Sequence, residues 1–212
     1  MPRLFIGTFL SQQDQQKLAV LPGLNGHLDS LWERKLRWVR PINLHITWLY
    51  LGEVDQSLVS KVSSTLHKIV YERNKIIEDR GEVVMSFSKP AAWPNSRKAR
   101  VLVIESQPVE PKVEQLARSI RTGLIPFYSE ATEKEHNQDF KPHVTLMRLD
   151  RRVETAAEKL AIHRVEKRID PEKIKFLGEV LPIRLSVANL CLVESDGKGG
   201  DYKILDSVRL RD

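Results

Sequence analysis

Along the chain, apolar positions recur with two different periods, and the switches between them mark out the elements. The run LFIGTF at 4–9 reads as a first strand. LHITWLYL at 44–51 reads as a stronger one, dense in β-branched and aromatic residues and stopped by Gly52. A period of 3.6 then takes over. Behind a cap at Asp55, Leu58, Val62, Leu66 and Val70 fall on one stripe, with Val59 and Ile69 beside it, which predicts an amphipathic helix. EVVMSF (82–87) and RVLVIE (100–105) read as a strand pair across a segment bearing Pro and Arg. Pro111 suits the first turn of a second helix, whose apolar face is Val113, Leu116, Ala117, Ile120 and Leu124. HVTLMRL (143–149) is strand-like again. A charged helix is predicted from about 152 to 167, with Val153, Ala156, Ala157, Leu160, Ala161 and Val165 inward. Two strands close the chain, IRLSVANLCLVES (183–195) and DYKILDSVRL (201–210), joined through the turn signal DGKGG.

Each half of this layout has helices and several strands, in the manner of a diverged internal duplication. The expected fold is α+β: two lobes of antiparallel strands related by a pseudo-twofold axis, helices outside, and a central cleft. No low-complexity segment or linker divides the chain, so residues 1–212 are read as a single two-lobed domain. No apolar run approaches the roughly 20 residues a bilayer needs. The N-terminal MPRLFIGTFLSQQDQQ lacks a small-residue cleavage site and reads as a strand rather than a signal peptide.

The pattern repeats one detail. NLHITWLYLG at 43–52 and KPHVTLMRLD at 141–150 each set a histidine two residues before a threonine, within an apolar strand and behind a proline. Alternate strand residues share a face, so His45 and Thr47 lie together opposite Leu44, Ile46 and Trp48. By the same rule His143 and Thr145 lie opposite Val144 and Leu146. If the two strands face each other across a cleft, two imidazoles and two hydroxyls converge. Imidazoles of ordinary pKa near 6.5 can hold opposite protonation states at neutral pH, one as base and one as acid. The hydroxyls supply neutral donors to the oxygens of a phosphate. One such motif alone is more often a satisfied core histidine; two in matching strands are a specific signal. No spacing for further metal ligands accompanies them, and the expectation is no metal and no cofactor.

Composition changes the picture in one respect. With 41% hydrophobic and 29% charged residues the chain is ordinary, and its single Cys191 excludes an intramolecular disulfide, which makes a cytoplasmic location the default. Its 34 basic against 28 acidic side chains leave +6, a balance that favours anionic partners. Arg97, Lys98 and Arg100 cluster, as do Lys141, Arg148, Arg151 and Arg152, the second group beside a His-x-Thr motif.

The paired motifs resemble those of the two-histidine (2H) phosphoesterase superfamily, and within it the RNA 2',3'-cyclic phosphodiesterase family, historically called 2'-5' RNA ligases. The resemblance runs over nearly the whole chain: RLFIGTFL looks like that family's first strand, LRWVRPINLHITWLYLGEV (36–54) and KPHVTLMR are similar to its two motif blocks, and LCLVESDGKGGDYKILDSVRL looks like its C-terminal hairpin. It implies hydrolysis of an RNA 2',3'-cyclic phosphate end to a 2'-phosphate, with His45 and His143 as the catalytic pair and Thr47 and Thr145 holding the phosphate. Sequence does not order the two histidines; His143 as base and His45 as acid is the assignment carried forward. Arg148 either adds charge near the phosphate or sits on the strand's solvent face. The implied partner is RNA with a cyclic phosphate end, tRNA fragments among the candidates. A monomer is expected, since one chain forms the cleft. Alternatives are hydrolysis of another small cyclic phosphate or a 2'-5' oligonucleotide, a non-catalytic RNA-end-binding module, and ligation as the reverse reaction.

The segment at 150–182 is longer and more charged than that family leads one to expect; its helix reads as salt-bridged and solvated, with an RNA-guiding edge as the minority view. Trp38 and Trp93, with Phe87, are weak candidates for base stacking. Trp48 reads as core. His27, His67, His136 and His163 lack motif context and are assigned structural or solvent roles.

Overall fold

The computed structural model describes residues 1–21, 36–76, 83–95, 100–128, 139–149, 177–178, 180–196 and 202–210. The charged helix predicted from 152, the residues Arg97, Lys98, Arg151 and Arg152, and His27, His136 and His163 lie outside them. So does most of the DGKGG turn.

The described residues form nine strands: β1 (Arg3–Phe9), β2 (Leu36–Trp38), β3 (His45–Glu53), β4 (Val83–Trp93), β5 (Val101–Ser106), β6 (His143–Leu149), β7 (Ile183–Val187), β8 (Asn189–Ser195) and β9 (Tyr202–Arg209). They pair antiparallel throughout, in the order β7-β4-β5-β6-β3-β1-β8-β9, with β2 laid against β6. The helices are α1 (Gln12–Leu18), α2 (Val59–Ile76) and α3 (Pro111–Leu124). The α+β class expected from the periodicity is the class observed.

The sheet divides at its middle. Along the main path four strands lie to each side of the β6–β3 junction, with β2 added against β6, and that junction is one Cα pair, Ile46 with Val144. Both side chains are fully buried, so Ile46→Ala would cost on the order of 2–5 kcal/mol. The two strand groups are not the two halves of the sequence. One takes β1 and β3 from the N-terminus and β8 and β9 from the C-terminus; the other is the middle of the chain. Hydrogen-bonded pairing, not chain order, assembles each group.

The long apolar run at 183–195 explains the exchange. Its pattern predicts one strand, but it breaks at Ala188: β7 pairs with β4 in one group and β8 with β1 in the other. A continuous apolar run does not report a change of partner, because both pieces are buried. Strand β4 also runs past its expected end, through Pro90 to Trp93. Proline is tolerated there because β7 pairs only as far as Phe87, leaving the Lys89–Trp93 segment bonded on one side. Gly52 does not stop β3; with φ of 76° it carries the strand through a register shift to Glu53.

Of the three predicted helices, the two that fall within the described residues are observed. Asp55 caps the turn before α2, accepting from the Ser57 amide at 2.8 Å. Val62, Leu66 and Val70 are buried. All five residues named for the apolar face of α3 are buried too. These stripes join Leu4, Ile6, Ile46, Leu102, Ile104 and Val144 in one core on one face of the sheet. The other face of β1 and β8 carries a second, small apolar cluster of Phe5, Cys191 and Val193, edged by Phe9 and Tyr202. Among the described residues, no helix is long and apolar enough to cross a membrane.

Candidate active site

Both motif histidines are set by the same local device. A 3₁₀ turn at Pro41–Asn43 feeds β3, and His45 Nδ1 lies 2.7 Å from the Asn43 carbonyl oxygen. His143 Nδ1 lies 2.9 Å from the Lys141 carbonyl oxygen, across Pro142. A carbonyl only accepts, so in each ring Nδ1 donates, and the neutral tautomer presents an unprotonated Nε2.

The register brings the two motifs together. With Ile46 paired to Val144 on the core face, one further step of antiparallel register in each direction sets His45 opposite Thr145 and Thr47 opposite His143. All four point away from the helices, and all four are partly buried. Gly7 pairs with Thr47 on the same face. A Cβ on Gly7 would lie 2.8 Å from the Phe5 ring, so glycine keeps the floor below Thr47 low.

Each motif strand then bulges at the same place. In β3, Gly7 pairs with Thr47 but Ile6 with Leu49, so Trp48 is the extra residue. In β6, Val103 pairs with Thr145 but Leu102 with Met147, and Leu146 is the extra residue. Trp48, Leu49, Leu146 and Met147 are all buried. A bulge flips the alternation beyond it, and the residues that strict alternation would send to the core, Tyr50 and Arg148, are exposed. Arg148 reaches across the junction, donating from Nη2 to the Tyr202 hydroxyl at 3.2 Å. Arg148 is exposed, and its guanidinium lies near enough to His45 to act on that ring's pKa.

The surroundings of the rings differ. His45 packs among Tyr202, Phe5 and Phe9, with ring centroids 5.0, 5.1 and 5.5 Å away. Burial lowers its pKa to about 4, against the Asn43 carbonyl, which favours its protonation; the Arg148 guanidinium and His143 lower it further. His143 packs on the Trp93 ring at 4.1 Å. Its pKa is lowered by burial too, while the Lys141 carbonyl and the Glu105 carboxylate act in the opposite direction.

The structure thus brings His45, His143, Thr47, Thr145 and Arg148 onto one face around the β3–β6 junction. It adds Glu105, Tyr202, Phe5 and Phe9, none of which the sequence pattern singles out. Glu105 had a signal, a lone acid at the end of an apolar strand; Tyr202 had none. Trp48 is core as expected, 4% exposed with its indole N–H donating to Thr8 Oγ1 at 2.9 Å. Phe87 is fully buried and cannot stack on a base. Trp38 packs partly against the core. His67, expected in a structural or solvent role, pairs with Asp206 at 2.9 Å.

Known proteins resemble this chain in sequence and in fold. A family model described as the 2'-5' RNA ligase superfamily matches residues 22–199. An Archaeoglobus fulgidus protein named RNA 2',3'-cyclic phosphodiesterase is 28% identical over 71% of this chain and 74% of its own length. A Bacillus subtilis protein of the same name is 27% identical over 53% of this chain, which there spans 55% of the relative. Among solved structures, a Thermus thermophilus protein has TM-score 0.66 at 21% identity, covering 99% of this chain and 98% of that one. E. coli LigT complexed with NADP+ has TM-score 0.60, also at 21% identity, covering 100% and 99%. The structural likenesses speak to fold, and the family match covers most of the sequence, both motifs included: the chain belongs to the 2'-5' RNA ligase superfamily of two-histidine phosphoesterases.

Proposed function

We propose that this protein is a metal-independent RNA 2',3'-cyclic phosphodiesterase that opens a terminal cyclic phosphate to a 2'-phosphate. The observation that carries the reading is the pair of Nδ1–carbonyl anchors, at 2.7 and 2.9 Å, which leave both Nε2 atoms available on the face shared with Thr47 and Thr145. The names of the relatives at 26–28% identity support the substrate class.

In the proposed reaction the phosphate lies over the junction. The hydroxyls of Thr47 and Thr145 donate to its non-bridging oxygens, and Arg148 adds charge where charge develops. One Nε2 takes a proton from water as its oxygen attacks phosphorus. The other imidazole gives its proton to the 3'-oxygen as the P–O3' bond breaks. Two imidazoles supply both proton transfers, so the scheme calls on no metal or cofactor. We assign His45 as the base and His143 as the acid, reversing the assignment carried forward from the sequence. His45, with its pKa at about 4, is unprotonated throughout the neutral range. His143 has a carboxylate nearby that favours the protonated ring. With the site built from one chain, the reading includes a monomer, in the cytoplasm.

The test is incubation of the protein with a short RNA ending in a 2',3'-cyclic phosphate and with 2',3'-cyclic AMP, in EDTA. Products are resolved as 2'- or 3'-phosphates. A 2'-phosphate formed in EDTA and lost in His45→Ala and in His143→Ala is the expected result. RNA binding without turnover would replace this reading with an RNA-end-binding module, and turnover abolished by EDTA would remove the metal-independent scheme.

A further inference from the structure

The two histidines occupy equivalent places in the sheet, but the residues directly across from them do not match. On the neighbouring strand His45 faces Phe9. His143 faces Glu105. Phe9 is the kind of residue such a position holds by default, an aromatic packed on the ring beside it. Glu105 is a carboxylate only 7% exposed, and burying a charge is costly unless partners satisfy it.

Its partners are all on the site face or beside it. The Trp93 indole N–H donates to Oε1 at 2.6 Å. Lys89 Nζ lies 3.2 Å from Oε2, and Gln107 Nε2 donates to the same oxygen at 3.4 Å. The Trp93 ring in turn packs on His143. The carboxylate therefore reaches His143 by two routes: directly across the strand pair, and through the indole it holds.

We propose that Glu105 is a positioning residue for the reaction: its carboxylate fixes the Trp93 indole against the His143 ring and stabilises the positive charge His143 carries before it donates its proton. This rests on the reading of His143 as the acid.

The charges around His143 support that role. From β4, Lys89 neutralises part of the carboxylate, but it sits one strand further away, at about twice the interstrand spacing of ~4.8 Å. Its side chain is 55% exposed against 9% for that of Glu105, so solvent screens the lysine more strongly. From β3 comes His45, uncharged in the neutral range with its pKa at about 4, and on β6 itself stands the Arg148 cation. Among the described residues, Glu105 is the one negative charge paired directly across from the ring. Phe9 offers His45 nothing comparable, so two strands with one backbone geometry become one base and one acid.

Glu105→Gln keeps the shape and an acceptor for the Trp93 N–H while removing the charge; Glu105→Ala removes both, and Glu105→Asp restores the charge. Two measurements are made on each: an NMR titration of the His143 ring in the substrate-free protein, and kcat on a 2',3'-cyclic phosphate RNA against pH. In Glu105→Gln the His143 midpoint should move to lower pH. Its kcat should fall about ten-fold or more at pH 8, part of the 10²–10⁴ that a placed proton donor supplies, and recover as the pH is lowered. Glu105→Asp should restore part of the high-pH activity. A His143 titration unmoved in Glu105→Gln, with kcat lowered equally at every pH, would overturn the proposal and leave Glu105 a packing residue. A wild type without turnover would fail the functional reading instead, while the titration would still report the coupling between Glu105 and His143.

Discussion

The surroundings of His45 and of His143 form a comparison that the molecule makes with itself. The backbone treats the two rings alike: an Nδ1–carbonyl bond to the residue two before, a threonine two after, and a bulge at the third residue after. The side chains treat them differently. His45 lies among Phe5, Phe9 and Tyr202, and His143 between Trp93 and Glu105. Repetition of a strand motif thus supplies geometry twice over, and the adjoining strands give each ring its own surroundings. Beyond the bulges the same holds for Tyr50 in one strand and Arg148 in the other.

The largest effects should come from removing either ring. His45→Ala and His143→Ala should each lower kcat on a cyclic phosphate RNA by about 10²–10⁴-fold. The double variant should lose little more than the worse single one, because groups that act as a unit are not additive. A leaving group that needs no proton separates the two sides. On a phosphodiester with p-nitrophenolate as leaving group, His143→Ala should regain most of its loss and His45→Ala should not. Equal recovery in both would break the proposed division of labour, and recovery only in His45→Ala would invert it.

Stability against pH separates the sides without substrate. The pKa of His45 is lowered from 6.5 to about 4 in the folded chain. Between those values the unfolded state binds more protons than the folded one, so stability rises with pH through that window and falls as acid is added. The gap is worth roughly 3 kcal/mol once the ring is forced to protonate. Urea unfolding at pH 7, 5.5 and 4 should show wild type losing stability towards acid, and His45→Gln losing markedly less. His143→Gln should flatten the decline less, since Glu105 already favours the protonated ring. Parallel curves for His45→Gln and wild type would mean that burial of this ring does not set its proton affinity.

What the sequence discloses about this site, and what it hides, follows from the range of the interactions. The helix stripes, the His-x-Thr strands and the proline before each depend on near neighbours, and periodicity displays them. The break at Ala188 does not show, because an apolar run looks the same whether it has one partner strand or two. The bulges are hidden for a related reason. Trp48–Leu49 and Leu146–Met147 read as ordinary strand, and only pairing with β1 and β5 reveals the extra residue. Arg148 is therefore legible as a candidate but not as a placement. Glu105 and Tyr202 come to the histidines from elsewhere in the chain, and their roles are set by register alone.

The smallest effect tests the bulges. Both turn their following residue outward, but only Arg148 is a cation, and it spans from β6 to the Tyr202 hydroxyl beside His45. Under the proposed mechanism, Arg148→Ala removes a charge from beside the phosphate and should raise KM for the cyclic phosphate RNA about ten-fold, the size of one charge-assisted hydrogen bond. It should also raise the proton affinity of His45, because the guanidinium lowers it in the wild type. The acidic limb of kcat/KM therefore moves towards neutral pH. Tyr50→Ala, the change at the matching position, should alter KM by less than about three-fold and leave that limb in place, since base stacking is the most an uncharged ring can offer. If instead Tyr50→Ala proved the more damaging, the phosphate would lie nearer β3 than β6, and Arg148 would serve chiefly to hold Tyr202.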